Sequence, residues 1–308
     1  VSDNGAPFSL NKFMYNIVGI GELLWDMLPA GKQMGGAPGN FAFHASQCGI
    51  NSVLVSAVGN DDLGNELMVS IKRKNLNVLS RCVPKPTGTV NIVLDDRGVP
   101  NYTIVEDVAW DYIPFSEDLR VLAEKTDAVC FGSLAQRNAV SRNTILRFVD
   151  AMKTDTMKIF DINFRQHFYS REIIETSMQK ATVLKLNDEE MRVLIDLLNL
   201  QGKDESEICS SMMSRYGLSI VILTCGERGS SIFGKHEISV LATPNVQVAD
   251  TVGAGDAFTA AFCVSYLKHK NIALAHELAV KVSAFVCTQH GAMPKYTDEL
   301  MRILQSAV

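Results

Sequence analysis

An α/β fold on a mostly parallel central sheet is predicted for this chain by two observations. Short β-branched runs alternate with helical patterns through most of the sequence. The runs are apolar on both faces, as strands covered by helices on each side must be. A third observation adds a smaller sheet. Residues 87–106, "TGTVNIVLDDRGVPNYTIVE", read as two strands around an Asp-Arg-Gly turn with no helix between them. Such a hairpin either stands apart as a flap or lid, or edges the main sheet.

In chain order the strands include "YNIVGIGEL", "SVLVSAVG", "AVCFGSL", "MKIFDIN", "ATVLKLN" and "SIVILTCG". Helical spacing separates them, as at Leu63, Leu67 and Ile71, or at Ile145, Phe148 and Met152. From Asp250 the pattern is chiefly helical. The opening residues 1–15 have no periodicity and read as a flexible tail or an added segment. No linker, repeat or low-complexity tract interrupts the rest.

The bulk composition narrows the function classes. At about 150 residues per domain, 308 residues would suit two domains, yet large α/β units reach this size as one. With 47% hydrophobic and 20% charged residues, the chain has the makings of a substantial core. A net charge of −5 and no long basic run argue against nucleic acid as the partner. Seven scattered cysteines without a CxxC pair indicate neither a disulfide framework nor a thiolate zinc site, and suit a reducing cytoplasm. No uncharged apolar run approaches the roughly 20 residues of a membrane span. The stretch from Ile17 to Met27, broken by Glu22 and Asp26, is a poor signal peptide.

Five segments could carry chemistry. "DTVGAGDAF", residues 250–258, sets a glycine turn between Asp250 and Asp256 ahead of a buried helix. It is either an Asp-capped turn or an anion site in which Gly253 and Gly255 admit a phosphoryl group to the helix N-terminus. On the second reading Asp256 takes the proton of an attacking hydroxyl, so that nucleophile, base and anion hole converge. "GGAPGNFAFHAS" places Gly35 and Gly36 before a helix opened by Asn40. That is a tight strand-to-helix connection or, with Asp26 just past the first strand, a set of partners for sugar hydroxyls.

"DINFR" puts Asp161, Asn163 and Arg165 after a strand, where open α/β sheets bind ligands and where an arginine suits phosphate. A surface salt bridge is the plainer alternative. "NDEE" reads as a capping box from Asn187 to Glu190, or as organisers of hydrated Mg²⁺. "TCGERGS", from Thr224 through Gly226 and Gly229, could lie against a nucleotide. Other templates fail. "GIGELL" lacks the third glycine of a dinucleotide fingerprint, no GxxxxGK[ST] or GxSxG occurs, and the six histidines are scattered.

Taken in order, "GGAPGN", "DINFR", "NDEE", "TCGERG" and "DTVGAGDAF" resemble the ribokinase-like (PfkB) carbohydrate kinases from about Asn16 to "FVCTQHGAMP". The late "DTVGAGD" is the most specific element. The resemblance implies a single α/β kinase domain over 16–308, a three-layer sandwich whose β-sheet lid comes from segments near 26–35 and 87–106. It implies ATP-dependent phosphorylation of a primary hydroxyl with Mg²⁺. Asp256 would be the base, Gly253, Ala254 and Gly255 the anion hole, and Arg165 a catalytic partner. Glu190 would be metal-associated through water, and Asp250 would belong to a loop that holds a monovalent cation, potassium, in several members. Asn187, Thr224, Gly226, Gly229 and Ser283 would hold the nucleotide.

"GELLWDMLP", "VAWDYI" and "FGSLAQR" are most similar to the fructokinase branch. On that likeness Asp26, Gly35, Gly36, Asn40 and Arg165 contact the sugar, with Trp110 as an apolar wall or else a core residue. Ile162 departs from the family, where proline is frequent. Other acceptors of the family (2-keto-3-deoxygluconate, ribose or a nucleoside) and a non-catalytic sugar sensor are the alternatives. Family habit suggests a homodimer through the lid.

Overall fold

The computed structural model describes residues 15–28, 31–94 and 100–306. Residues 1–14 of the expected tail and the Asp-Arg-Gly turn of the 87–106 segment lie outside the described residues.

Strand β1 (Asn16–Ile20) is followed by β2 (Leu24–Leu28), β3 (Gly31–Gly35), α1 (Ala37–Gln47) and β4 (Asn51–Gly59). Next come α2 (Asp62–Arg73), β5 (Asn77–Val83), β6 (Gly88–Leu94) and β7 (Pro100–Ile104). A regular alternation then runs through α3 (Glu117–Glu124), β8 (Ala128–Gly132), α4 (Ala139–Ala151), β9 (Met157–Asp161), α5 (Arg171–Lys180) and β10 (Val183–Asn187). Helices α6 (Asp188–Leu198) and α7 (Glu205–Tyr216) precede β11 (Ile220–Thr224), β12 (Ser230–Gly234) and β13 (Ile238–Leu241). The chain closes with α8 (Ala254–His269), α9 (Ile272–Cys287) and α10 (Asp298–Ser306).

Among the described residues nine strands form one sheet in the order β13-β12-β11-β10-β9-β8-β1-β4-β5. All pairings are parallel except those of β12 and β13 at one edge. The six runs read as strands are β1, β4 and β8 to β11. Alternate side chains explain why they are apolar on both faces. Val18, Ile20, Val129, Phe131, Phe160 and Leu184 enter one core, whereas Ile17, Ala128, Cys130, Ile159 and Val183 enter the other. Helices cover both faces, which makes three layers. Strand β1 lies between β4 and β8, and the strand order reverses there, the chain running out to β5 and then returning to β8, which opens a crevice at the carboxyl ends of these strands.

The 87–106 hairpin does leave the main sheet. It joins the first excursion in a four-stranded sheet of order β3-β2-β6-β7, with β2 and β6 parallel. Helix α8 is apolar on every side, with Phe258, Phe262 and Cys263 all buried, as a helix sealed beneath its neighbours must be. Each phenylalanine contributes about 2–3 kcal/mol by leaving water. No helix of the described residues is long and apolar enough to cross a membrane.

Candidate active site

The turn ahead of α8 needs glycine twice over at position 253. Gly253 has φ 78°, and a Cβ there would lie 2.6 Å from the Ala292 carbonyl oxygen. The turn thereby aims the first amides of α8 into the crevice. Ala254 N–H donates to Thr251 O at 3.3 Å, while the following amides of Gly255 and Asp256 have no acceptor inside the helix. Asp256 sits in this first turn and accepts 2.7 Å from Asn40 Nδ2, at the start of α1. Burial pushes its carboxyl up to about 6, and Asp161 adds to the rise, while Asn40, Lys185 and Arg165 oppose it.

Close approach explains the glycine pair before α1. Gly36 has φ 119°, and a Cβ on it would lie 2.4 Å from the Glu22 carbonyl. A Cβ on Gly35 would lie 2.3 Å from Asp26 Oδ2, so the bare backbone of β3 leaves room for the Asp26 carboxylate on β2. Burial raises the pKa of Asp26, and Arg165 opposes the rise. Asn40 is buried, and its Oδ1 lacks a partner, as does Oε2 of buried Glu22. Two orphaned polar atoms beside Asp256 suit a polyhydroxyl ligand.

Glu22 was not among the expected site residues. Its Oε1 accepts the Ala37 amide at 3.2 Å. Burial pushes the carboxyl up to about 7; its own amide and that of Ala37 oppose this, Asp256 adds to it and Arg165 opposes it. The ordinary value is 4.5, so above pH 7 the carboxyl is ionised in both states, and only the folded state disfavours the charge. The penalty, about 3 kcal/mol, is complete above pH 7, fades toward 4.5 and is absent below that. Glu22→Gln is therefore expected to raise Tm by about 4 °C at pH 8, with the gain vanishing on acidification. Thermal melts at pH 8 and pH 4.5 check this, and an unchanged Tm at pH 8 would refute the buried charge.

"DINFR" follows β9. Asp161 is buried, meets Lys185 Nζ at 3.1 Å and accepts from Thr259 Oγ1 of α8 at 3.4 Å. Lys185 also lies under the glycine turn, 3.3 Å from where a Cβ on Gly255 would be. Burial opposes its charge, but Asp161, Glu190 and Asp256 outweigh burial and hold its pKa above the usual range. Arg165 is exposed, bonded to the Phe164 carbonyl at 2.9 Å, and its charge bears on Glu22, Asp26 and Asp256 together. It is thus no plain surface salt bridge. Asn163 stands at φ 46°, a left-handed turn that asparagine tolerates.

"NDEE" forms the capping box, with Glu190 N–H to Asn187 Oδ1 at 2.8 Å and Asn187 N–H to Glu190 Oε2 at 2.7 Å. Glu190 does more than cap, because Oε1 takes the Phe164 amide at 3.0 Å and ties this helix start to the Arg165 loop. Burial raises its pKa, Lys185 opposing. Both oxygens keep a free lone pair, which fits a water of hydrated Mg²⁺. Asn187 and Thr224 end adjacent strands in register. Gly226 and Gly229 follow at φ 55° and 112°, and Ser283 Oγ donates to Ala254 O at 3.0 Å. Asp250 accepts from Val252 N at 3.0 Å and from Gly291 N at 3.1 Å, closing the loop beneath α8.

The structure therefore gathers Asp26, Gly35, Gly36, Asn40, Arg165 and Asp256 at one end of the crevice, and Asn187, Thr224, Gly226 and Gly229 along the strands beyond. Trp110 requires correction. It is fully buried, pressed against the Gly88 backbone and stacked 4.0 Å from the Arg137 guanidinium, so it is core and not an exposed sugar wall. Lys185 and Glu22 were missed. The signals were present: a lysine inside an apolar strand, and a glutamate interrupting the apolar stretch that ends in Asp26.

The family model for "pfkB family carbohydrate kinase" matches residues 27–299. The chain is 29% identical to an ATP-dependent 6-phosphofructokinase of Thermoanaerobacterium thermosaccharolyticum, covering 92% of this chain and 91% of that one. It is 28% identical to a fructokinase of Klebsiella pneumoniae, covering 92% and 98%. The solved structure of an uncharacterized sugar kinase of Pyrococcus horikoshii in complex with ATP superposes with a TM-score of 0.78 at 26% identity, over 95% of this chain and 100% of that one.

Proposed function

This chain belongs to the pfkB family of carbohydrate kinases, and on that premise we propose that it phosphorylates the primary hydroxyl of D-fructose, giving fructose 6-phosphate, with ATP as donor. The observation that carries the reading is Asp256. It stands on a helix N-terminus, held by Asn40, beside the unpartnered Glu22 and Asn40 oxygens.

In this mechanism the sugar hydroxyls lie against Asp26, Asn40 and the Gly35–Gly36 backbone, beneath the small sheet as a lid. Asp256 orients the attacking hydroxyl and accepts its proton, a task suited to a carboxyl of pKa about 6. A loose phosphoryl-transfer transition state needs charge neutralised more than it needs a strong nucleophile. The amides of Gly255 and Asp256, Lys185 beneath them and Arg165 in front supply that charge. Mg²⁺, held through water by Glu190 and Asn187, would neutralise the nucleotide phosphates. Asp250 would shape a potassium loop, and the seven free thiols suit a cytoplasmic enzyme.

The acceptor end carries the carboxyls of Glu22, Asp26 and Asp256, with the Arg165 guanidinium bearing on all three and Lys185 on Asp256, which leaves no excess of positive charge. That balance favours a neutral sugar over the phosphorylated one named for the thermosaccharolyticum relative. The test is ADP release with MgATP against D-fructose, fructose 6-phosphate, 2-keto-3-deoxygluconate, ribose and a nucleoside. Highest kcat/KM with D-fructose is expected. Preference for any other acceptor would refute the substrate, and binding without ADP release would favour a sensor.

A further inference from the structure

A cavity of about 510 Å³ opens at the base of the small sheet, between the segment after β7, the start of α4 and the loop entering α5. Its walls include Glu106, Asp111, Arg137, Arg142, His167 and Phe168, and none of Asp26, Gly36, Asn40, Arg165 or Asp256. We propose that this cavity is a second carbohydrate site, taking a neutral mono- or disaccharide that steadies the base of the small sheet.

Arg137 supplies the first argument. Its side chain is 6% exposed, gripping Asp111 through Nε and Nη2 at 2.8 Å each and the Val105 carbonyl at 2.6 Å. Trp110 and Phe168 sandwich the guanidinium at 4.0 and 4.6 Å. Only Nη1 has no acceptor in the protein. A buried guanidinium corner without an acceptor is costly, and a ligand against the Arg137 wall that drew Nη1 out to its own oxygen would relieve that cost.

Charge balance selects the ligand class. Asp111 neutralises Arg137, Lys85 holds Asp107 at 2.6 Å, and Arg142 stands 3.9 Å from Glu172. The walls offer both donors and acceptors, with two helix starts at Asn138 and Ser170, yet no excess of positive charge. An anion would meet four carboxylates. A polyol can both donate and accept, and the volume is that of a small-molecule site.

Position gives the site a consequence. Glu106 directly follows the small sheet, and His167 lies two residues beyond Arg165. Between them Gln166 Nε2 donates to the Tyr102 carbonyl of β7 at 2.5 Å. An occupant therefore touches both the sheet's base and the loop that presents Arg165, so it tightens acceptor binding, and the acceptor tightens the occupant's binding by the same factor.

The inference holds whichever acceptor the enzyme phosphorylates. The test is calorimetric titration of the full chain, without nucleotide, by D-fructose, D-glucose and sucrose, with Asn40→Ala in parallel to weaken the acceptor end. At least one sugar is expected to bind Asn40→Ala one-to-one, and His167→Trp, a filling change at an exposed wall position, should weaken that binding at least tenfold. Glu106→Ala serves if His167→Trp fails to fold. No binding to Asn40→Ala, binding indifferent to both wall variants, or displacement of the sugar by inorganic phosphate would each overturn the proposal.

Discussion

Asp256→Asn is expected to lower kcat by about 10²–10⁴-fold while the sugar still binds. The amide keeps an oxygen for Asn40 Nδ2 and fills the same space, so it removes the base and leaves the walls. Sugar affinity by titration and kcat from coupled ADP release separate the two effects. The wild-type enzyme should lose kcat/KM tenfold per pH unit below about 6, since protonated Asp256 cannot accept a proton. That limb should be missing from the variant's residual rate. Turnover within an order of magnitude of wild type would remove Asp256 from the role of base.

Lys185→Met should be as damaging by another route. Asp161, Glu190 and Asp256 share this one buried cation, whose side chain is 9% exposed and bonded to Asp161 at 3.1 Å. Removing one partner of a buried pair leaves the other charge uncompensated and costs about 3–5 kcal/mol. For a chain of this size Tm should fall by about 5–8 °C. Asp256 loses an opposing cation, so the acid limb of the rate profile should move to higher pH. Adding Asp161→Asn should recover part of the stability. If the double variant melts no higher than the single one, the loss does not come from a stranded carboxylate.

How far the sequence carries the site depends on how local each constraint is. The glycine at 253, the capping box from Asn187 to Glu190 and the glycine pair before α1 are each settled within a few residues of backbone. All three were legible. The Asp161–Lys185 pair depends on β9 lying beside β10 with these residues in register, and no window of sequence contains that fact. Glu22 could be seen as a charge in an apolar run, but its burial depends on the Gly36 turn closing over it. Trp110 misleads because its surroundings come from Gly88 and Arg137, two separate stretches. The edge strands β5 and β13, and β12 beside β13, carry polar residues such as Asn77, Ser80, Arg81, Ser230, Ser231 and Ser239, so they lack the doubly apolar pattern that reveals the other strands of the main sheet.

The hydrogen bond from Asn40 to Asp256 spans 216 residues of chain. Closing so long a loop costs chain entropy that contacts between near neighbours do not, and it waits on residues made late in the chain. On the roles proposed for Asp256 and its glycine turn, a nascent chain that already carries Asp26, Asn40 and Arg165 therefore has no base and no phosphate turn. It can neither transfer nor waste a phosphoryl group until its last helices arrive, and catalytic competence becomes a signature of finished folding.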